Sequence, residues 1–211
     1  MSRGLGDVYK RQFNGWSKYS DYQKDDKINV KIAKLIKIKK IEPKIKVKKN
    51  LKKIVLEGGA IDVNGQGSIL LTRECLLSKV QERNPGVNKL NLENTFRKYL
   101  NLKNFIWLNK GIKGDDTHGH IDDIARFVSP NTIMAAIEKN KKVKNFKNLN
   151  ENLQILKKSS NTNGKKNEEM IEVCDCANEF FKNKGDLPDN LKRYKELISS
   201  KNIRRKECIL L

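Results

Sequence analysis

The stretch KIVLEGGAIDVNGQGSILLT, residues 53–72, constrains the fold of this chain more than any other segment. Two short apolar runs flank Asn64-Gly65, and Asn-Gly between such runs is a strong β-hairpin signal. Glu57 closes the first run and is followed by Gly58 and Gly59, which let a backbone or ligand approach closely. The segment therefore predicts a sheet with an acid at the end of a hydrophobic strand.

Other patterns surround it. Ile28, Ile32, Leu35 and Ile36 recur at helical spacing, with Asp25 or Asp26 placed to cap the helix. KIKVKK (44–49) alternates as a strand, with Ile45 and Val47 facing one way. LNLENTFRKYL (90–100) reads as a short amphipathic helix capped by Asn91, and NFIWL (104–108) as a buried strand. IARFVSPNTIMAAI (124–137) reads as a hairpin turning at Ser-Pro-Asn. NFKNLNENLQILKK (145–158) reads as a helix with Leu149, Leu153 and Leu156 on one side. The order predicts a mixed α/β fold made of repeated small sheet-plus-helix units.

Composition narrows the classes. The 211 residues allow one ordinary domain, and 37% hydrophobic residues allow a modest core. No apolar run approaches the roughly 18 residues of a membrane span, and no secretory pattern opens the chain. A soluble cytoplasmic protein is expected. Cys75, Cys174, Cys176 and Cys208 show no framework spacing, in keeping with a reducing compartment. The net charge of +20 suggests a polyanion partner, but it comes mainly from widely spread Lys beside abundant Asn. Arg, the better fork for phosphate and guanine, is scarce. Nucleic acid is therefore not expected as the main partner, and a basic RNA-binding module stays an alternative.

GDDTHGHIDD (114–123) holds both histidines of the chain. THGHIDD comes close to a zinc-hydrolase signature, T-H-x-H-x-D-H, but Asp123 stands at the last position and no further imidazole exists. A metal-dependent hydrolase using this loop is thus a second alternative, and no metal is expected. Acid/base chemistry fits better, because an imidazole can both take and give a proton near neutral pH. Asp122 lies two residues from His120, so an extended backbone would put both side chains on one face. Asp115 and Asp116 read as turn or cap residues. With Glu57, Asp122 would put two carboxylates around one pocket, and their natural partner is a planar cation such as a guanidinium.

These residues resemble the agmatine deiminase / Porphyromonas-type peptidylarginine deiminase family. The stretches that carry the likeness are FNGWSKY, VLEGGAIDVNGQGSILLTRECLL, RNPG, FIWLNKGIKGDDTHGHIDDIARFVSP and, more weakly, ENLQILKKSSNTNGKK. The resemblance implies a five-bladed α/β propeller of ββαβ units, of which this chain would supply about two. It implies hydrolysis of a guanidine to a urea, with agmatine or peptidylarginine as substrate and no cofactor. His120 then matches the general acid/base, and Asp122 the carboxylate that grips the guanidinium. Glu57 matches a second acid that contacts the guanidinium and orients the histidine. Trp16 and Lys18 match a W-G-G-K-Y stretch from which one glycine is absent here, and Trp16 would line the substrate pocket. His118 falls where the family varies and reads as a loop residue.

The chain also departs from the family pattern. The family's thiolate nucleophile lies in a G-G-G-x-H-C string that this sequence does not contain. Cys75, in TRECLL, reads as a helix core residue, and Cys174 and Cys176 form a lone C-x-C. Cys208, in the terminal CILL, resembles a prenylation box only by length and terminal Leu. An R-D-x-G-P string of the family's first blade is missing as well. The expected organisation is a leader at 1–12 resembling translated sequencing adapter, a partial deiminase domain at 13–173, and an unassigned polar, helix-prone tail at 174–211. Such a fragment would be inactive alone. Oligomerisation of the full-length protein stays open.

Overall fold

The computed structural model describes residues 27–38, 41–79, 83–164 and, for its backbone, 169–174. Helix α1 spans Ile28–Leu35. A two-stranded ribbon follows, β1 (Lys44–Val47) against β2 (Asn50–Lys53), antiparallel. The α1 N-cap is Lys27, with no side-chain cap bond, and Asp25 and Asp26 lie outside the described residues.

Two three-stranded units carry the rest. In the first, β3 (Ile61–Val63) pairs antiparallel with β4 (Ser68–Thr72), and β4 pairs parallel with β5 (Asn104–Leu108). A parallel neighbour needs a crossover. Here it is supplied by the short helix α2 (Arg73–Leu77) and the longer α3 (Lys89–Leu100). The second unit repeats the pattern: β6 (Ala125–Ser129) antiparallel to β7 (Thr132–Ile137), then α4 (Phe146–Lys158), then β8 (Glu169–Cys174) parallel to β7. Both units are thus strand–strand–helix–strand. β8 has no counterpart in the sequence reading, because Glu169 and Glu172 interrupt its apolar residues.

Strand β4 is buried along its whole length, and its side chains alternate between two cores. Ile69 and Leu71 join Leu92 and Phe96 of α3 and Trp107 of β5. Leu70 joins Ile106, Leu108, Ile121, Ile133 and Leu149. The second core binds the two units to each other, with the 114–123 loop pinned into it through Ile121. Full burial of such a side chain contributes roughly 1.5–3 kcal/mol.

Three local details differ from the sequence reading. The β3–β4 hairpin closes with residues 64–67 rather than a two-residue turn. The Asn64 side chain takes the Gln66 and Ser68 amides at 2.8 and 2.9 Å, making the loop an Asx-type turn. In α3 the cap is Asn88, and Asn91 is its reciprocal partner three residues on: Asn91 N–H donates to Asn88 Oδ1 at 2.9 Å, and Asn88 N–H to Asn91 Oδ1 at 3.4 Å. In α4, Leu149 and Leu156 are buried and Leu153 only half-buried, while Asn152 is 1% exposed. Asn152 accepts from Asn109 N–H at 2.9 Å and donates to Lys110 carbonyl at 2.7 Å. It thereby satisfies the backbone where β5 runs out.

Asn152→Leu would extend the apolar stripe yet strand both backbone groups in the core. We expect a loss of roughly 2–6 kcal/mol in urea unfolding followed by circular dichroism, at about 1–3 kcal/mol for each of the two unsatisfied groups.

Candidate active site

Glu57 is held in place by a dipeptide far along the chain. Residues 54–57 are buried and lie outside the three sheets. Asn84 grips this backbone at Val55: its amide takes Val55 N–H and gives to Val55 carbonyl, both at 2.8 Å. The Asn84 carbonyl in turn receives Val87 N–H at 3.0 Å, with Pro85 and Gly86 (φ +81°) between them, the geometry of a type II turn. With Asn84 fixed on Val55, the preceding Arg83 reaches Glu57 two residues further along.

Arg83 forks onto the carboxylate: Nε donates to Oε1 at 3.0 Å and Nη2 to Oε2 at 3.1 Å. Nη2 also donates to the Thr117 carbonyl at 2.6 Å. Arg83 is 2% exposed and Glu57 5%, so this is a buried ion pair. Burial works against a charged Glu57, but the His120 hydrogen bond and the Arg83 fork outweigh it and hold the carboxyl below its ordinary range.

The 114–123 loop is organised by Asp115. Its carboxylate takes the Thr117 amide at 2.7 Å, the Thr117 hydroxyl at 2.5 Å and the Gly119 amide at 2.6 Å. Burial opposes its ionisation, but these donors prevail and lower its pKa. Gly119 has φ +91°, and its carbonyl accepts from the Thr72 hydroxyl, which also caps α2 by accepting from Cys75 N–H. Ile121 and Asp122 N–H both point at the Gly59 carbonyl, at 3.0 and 3.3 Å. The expected turn role of Asp115 is what the structure shows, and Asp116 is exposed. His118, half-buried at φ +60°, is a loop residue.

These supports present His120, 4% exposed, between two acids. Its Nε2 lies 2.5 Å from Glu57 Oε2, and its Nδ1 lies 3.9 Å from Asp122 Oδ1. The backbone from His120 to Asp123 bends rather than extends, and Ala125 N–H returns to the Ile121 carbonyl at 2.8 Å. The two side chains meet because both lean over Gly59. A Cβ built there would lie 2.8 Å from both Asp122 carboxylate oxygens and would press on His120 Nδ1, whereas one on Gly58 would meet nothing. Of the two glycines, Gly59 is the one that permits the approach.

Asp122 is the exposed member, with 33% of its side chain accessible, and Arg126 Nη1 stands 3.9 Å from it. Arg126 Nε also pairs with Asp62 at 3.2 Å, and Asp62 accepts Phe127 N–H at 2.6 Å, joining β3 to β6. Burial pushes the Asp62 carboxyl up to about 6, with nearby Asp122 adding to the rise. Asp123 is also raised to about 6, by burial first and then by Asp115 and Asp122.

Glu57, Cys75 and His120 bring potential ligand atoms within 4.8 Å of one another. The trio suits a metal ion poorly. Both Glu57 oxygens are already taken, a guanidinium stands beside them, and burial pushes the Cys75 thiol up to about 12. Trp16, Lys18, Cys176 and Cys208 lie outside the described residues, and Cys174 is described only as the end of β8. Arg83 and Asn84 were given no role by the sequence reading. The signal was present as an Arg before Asn-Pro-Gly, but nothing in it says that the Arg is buried. No described helix is long and apolar enough to cross a membrane.

Residues 5–190 match the family described as Porphyromonas-type peptidyl-arginine deiminase. The agmatine deiminase of Pseudomonas aeruginosa (strain LESB58) is 31% identical over 159 residues, 73% of this chain and 40% of that protein. The solved agmatine deiminase of Enterococcus faecalis superposes with a TM-score of 0.67 at 28% identity, covering 77% of this chain and 43% of that one. A cysteine-to-serine variant of C. jejuni agmatine deiminase with substrate bound gives 0.63 at 32% identity, covering 77% and 44%. The chain spans about a third to two fifths of the length of the curated relatives it matches.

Gly59→Ala should push His120 and Asp122 apart. We expect a loss of about 1–3 kcal/mol in urea unfolding, as for other overpacked sites, together with displaced His120 ring signals in the NMR spectrum. Asp62 gives a pH signature. Its folded-state pKa is raised, so the native chain binds more protons than the unfolded chain between about 3.8 and 6. Its contribution to stability therefore falls as pH rises through that window. Asp62→Asn should remove this component, so that the wild-type minus variant unfolding free energy declines from pH 4 to pH 6. A flat difference across the window would refute the assignment.

Proposed function

The chain belongs to the Porphyromonas-type peptidyl-arginine deiminase family, and we propose that its His120 site serves hydrolysis of a guanidine to a urea with release of ammonia. The observation that carries this reading is an imidazole bracketed by two carboxylates of unlike environment. Glu57 is buried and paired with Arg83, whereas Asp122 is partly exposed and faces the other edge of the ring across Gly59. A planar cation fits beside Asp122, which can accept two of its N–H groups in parallel.

In this proposal Asp122 grips the guanidinium and holds its plane for attack. His120 gives a proton to the departing ammonia and takes one from the water that follows. Glu57 orients the ring. A cysteine thiolate attacks the guanidinium carbon, ammonia leaves, and water cleaves the resulting thiouronium to free the thiolate and the urea. Cys75 does not suit that step, being fully buried in the core with its thiol raised to about 12. The thiolate is assigned to a segment that the longer relatives carry outside the matched stretch.

The two strand–strand–helix–strand units are assigned to a five-bladed propeller, with 13–173 as its part in this chain. Trp16 is kept as a lining residue of the substrate pocket on the strength of its motif. Agmatine, giving N-carbamoylputrescine, is favoured over peptidylarginine by the names of the relatives from P. aeruginosa and E. faecalis. The enzyme is read as soluble and cytoplasmic.

The test is ammonia release by the full-length protein that contains this chain, with agmatine and a peptidylarginine supplied in parallel. Turnover of agmatine is expected, with His120→Ala lowering kcat by roughly 100- to 10,000-fold or more and Asp122→Asn raising KM as well. Equal turnover by wild type and His120→Ala would refute the role given to the imidazole.

A further inference from the structure

We infer that Arg83 is a positioning residue: its fork onto Glu57 fixes which nitrogen of His120 carries the resident proton and which exchanges protons at the reaction centre. The catalytic consequence rests on the function proposed above, whereas the proton placement stands on geometry.

A carboxylic acid buried without a cation tends to take up a proton. A protonated Glu57 could then donate to Nε2, and the neutral ring would carry its own proton on Nδ1. Arg83 excludes that arrangement. With Nε on Oε1 and Nη2 on Oε2, the carboxyl stays ionised and can only accept. The 2.5 Å contact to Oε2 must then be a donation from His120 Nε2–H. Nδ1 is left as the exchanging nitrogen, on the edge that faces Asp122 over Gly59. The third Arg83 bond, to the Thr117 carbonyl, ties the same guanidinium to the loop that carries His120, so carboxylate and ring are set relative to one cation.

Among the described residues, the titratable and charged groups around the ring include Glu57, Arg83, Cys75, Asp115, Asp122 and Asp123. Among them Glu57 alone is within hydrogen-bonding distance of Nε2. The short run Arg83-Asn84 thereby does two jobs. Asn84 locks the backbone at Val55, and Arg83 sets the electrostatic state of the acid two residues on.

NMR of this chain labelled with 15N-histidine and 13C-glutamate tests the inference. The chain has only two histidines, and His118→Gln assigns the ring signals. In the wild type we expect a slowly exchanging Nε2–H on His120 and a Glu57 carboxyl titrating below its ordinary range. In Arg83→Met the Glu57 midpoint should rise by about 1–3 pH units, with the His120 proton shared between Nε2 and Nδ1. Arg83→Lys restores the charge, so Glu57 should ionise and accept again, and both its midpoint and the Nε2–H of His120 should move back toward wild type. A folded Arg83→Met chain with both signals unchanged would overturn the inference. If Arg83→Met does not fold, Arg83→Gln, which removes the charge but keeps a polar partner, decides: a raised Glu57 midpoint with a mixed ring supports the inference, and both signals unchanged overturn it. Neither readout involves turnover, so failed ammonia release would count against the proposed function and leave this inference standing.

Discussion

The organisation of this molecule depends on an ionised carboxylate kept in a place where water cannot help it. Glu57 is 5% exposed, and its two oxygens receive three donors, two from Arg83 and one from His120. Removing one partner from such an arrangement leaves an uncompensated buried charge, typically a penalty of about 3–5 kcal/mol. The pair is therefore less a source of stability than a source of definition: with Arg83 in place, the carboxyl has one protonation state and the ring one orientation. Chemistry that needs a proton taken and returned at a fixed atom benefits from that definition more than from added stability.

The rest of the architecture brings these groups together from distant parts of the chain. Glu57 precedes the β3–β4 hairpin, Arg83 lies in the connection between α2 and α3, and His120 sits in the loop between the two sheet units. Side chains hold the backbone around them: Asn84 pairs with Val55, Asp115 takes the amides of Thr117 and Gly119, and Thr72 donates to the Gly119 carbonyl. Irregular backbone at the site thus finds side-chain hydrogen-bond partners, as burial requires. Asp122 escapes the burial and keeps an accessible carboxylate beside the ring, the combination a cationic substrate needs.

Much of this was legible in the sequence for identifiable reasons. The Asn64-Gly65 hairpin, the buried NFIWL strand and the hairpin at Ser-Pro-Asn follow from local turn chemistry and period-two patterns, which need no partner to be read. Glu57, His120 and Asp122 stood out because an acid ending an apolar run and an imidazole beside aspartates are locally unusual. Other features were read wrongly or not at all. The apolar run points to Asn91 as the cap of α3, yet the capping box begins at Asn88. Asn152 sits on the buried face of α4 where periodicity calls for an apolar residue, and its partners just past the end of β5 are 43 and 42 residues away. Strand β8 is recognisable through its parallel pairing with β7, a long-range contact.

By itself the sequence determined the alternation of strands and helices, the hairpin positions and the presence of an acid/base loop, because these rest on propensity and spacing along a few consecutive residues. The tertiary structure decided that Arg83 and not solvent neutralises Glu57, that Gly59 and not Gly58 makes room for the ring and Asp122, and that a bent rather than an extended backbone aims them together. Those outcomes depend on which surfaces are brought into contact and dried by packing, and electrostatic strength changes many-fold with that drying. A one-dimensional pattern carries no record of it.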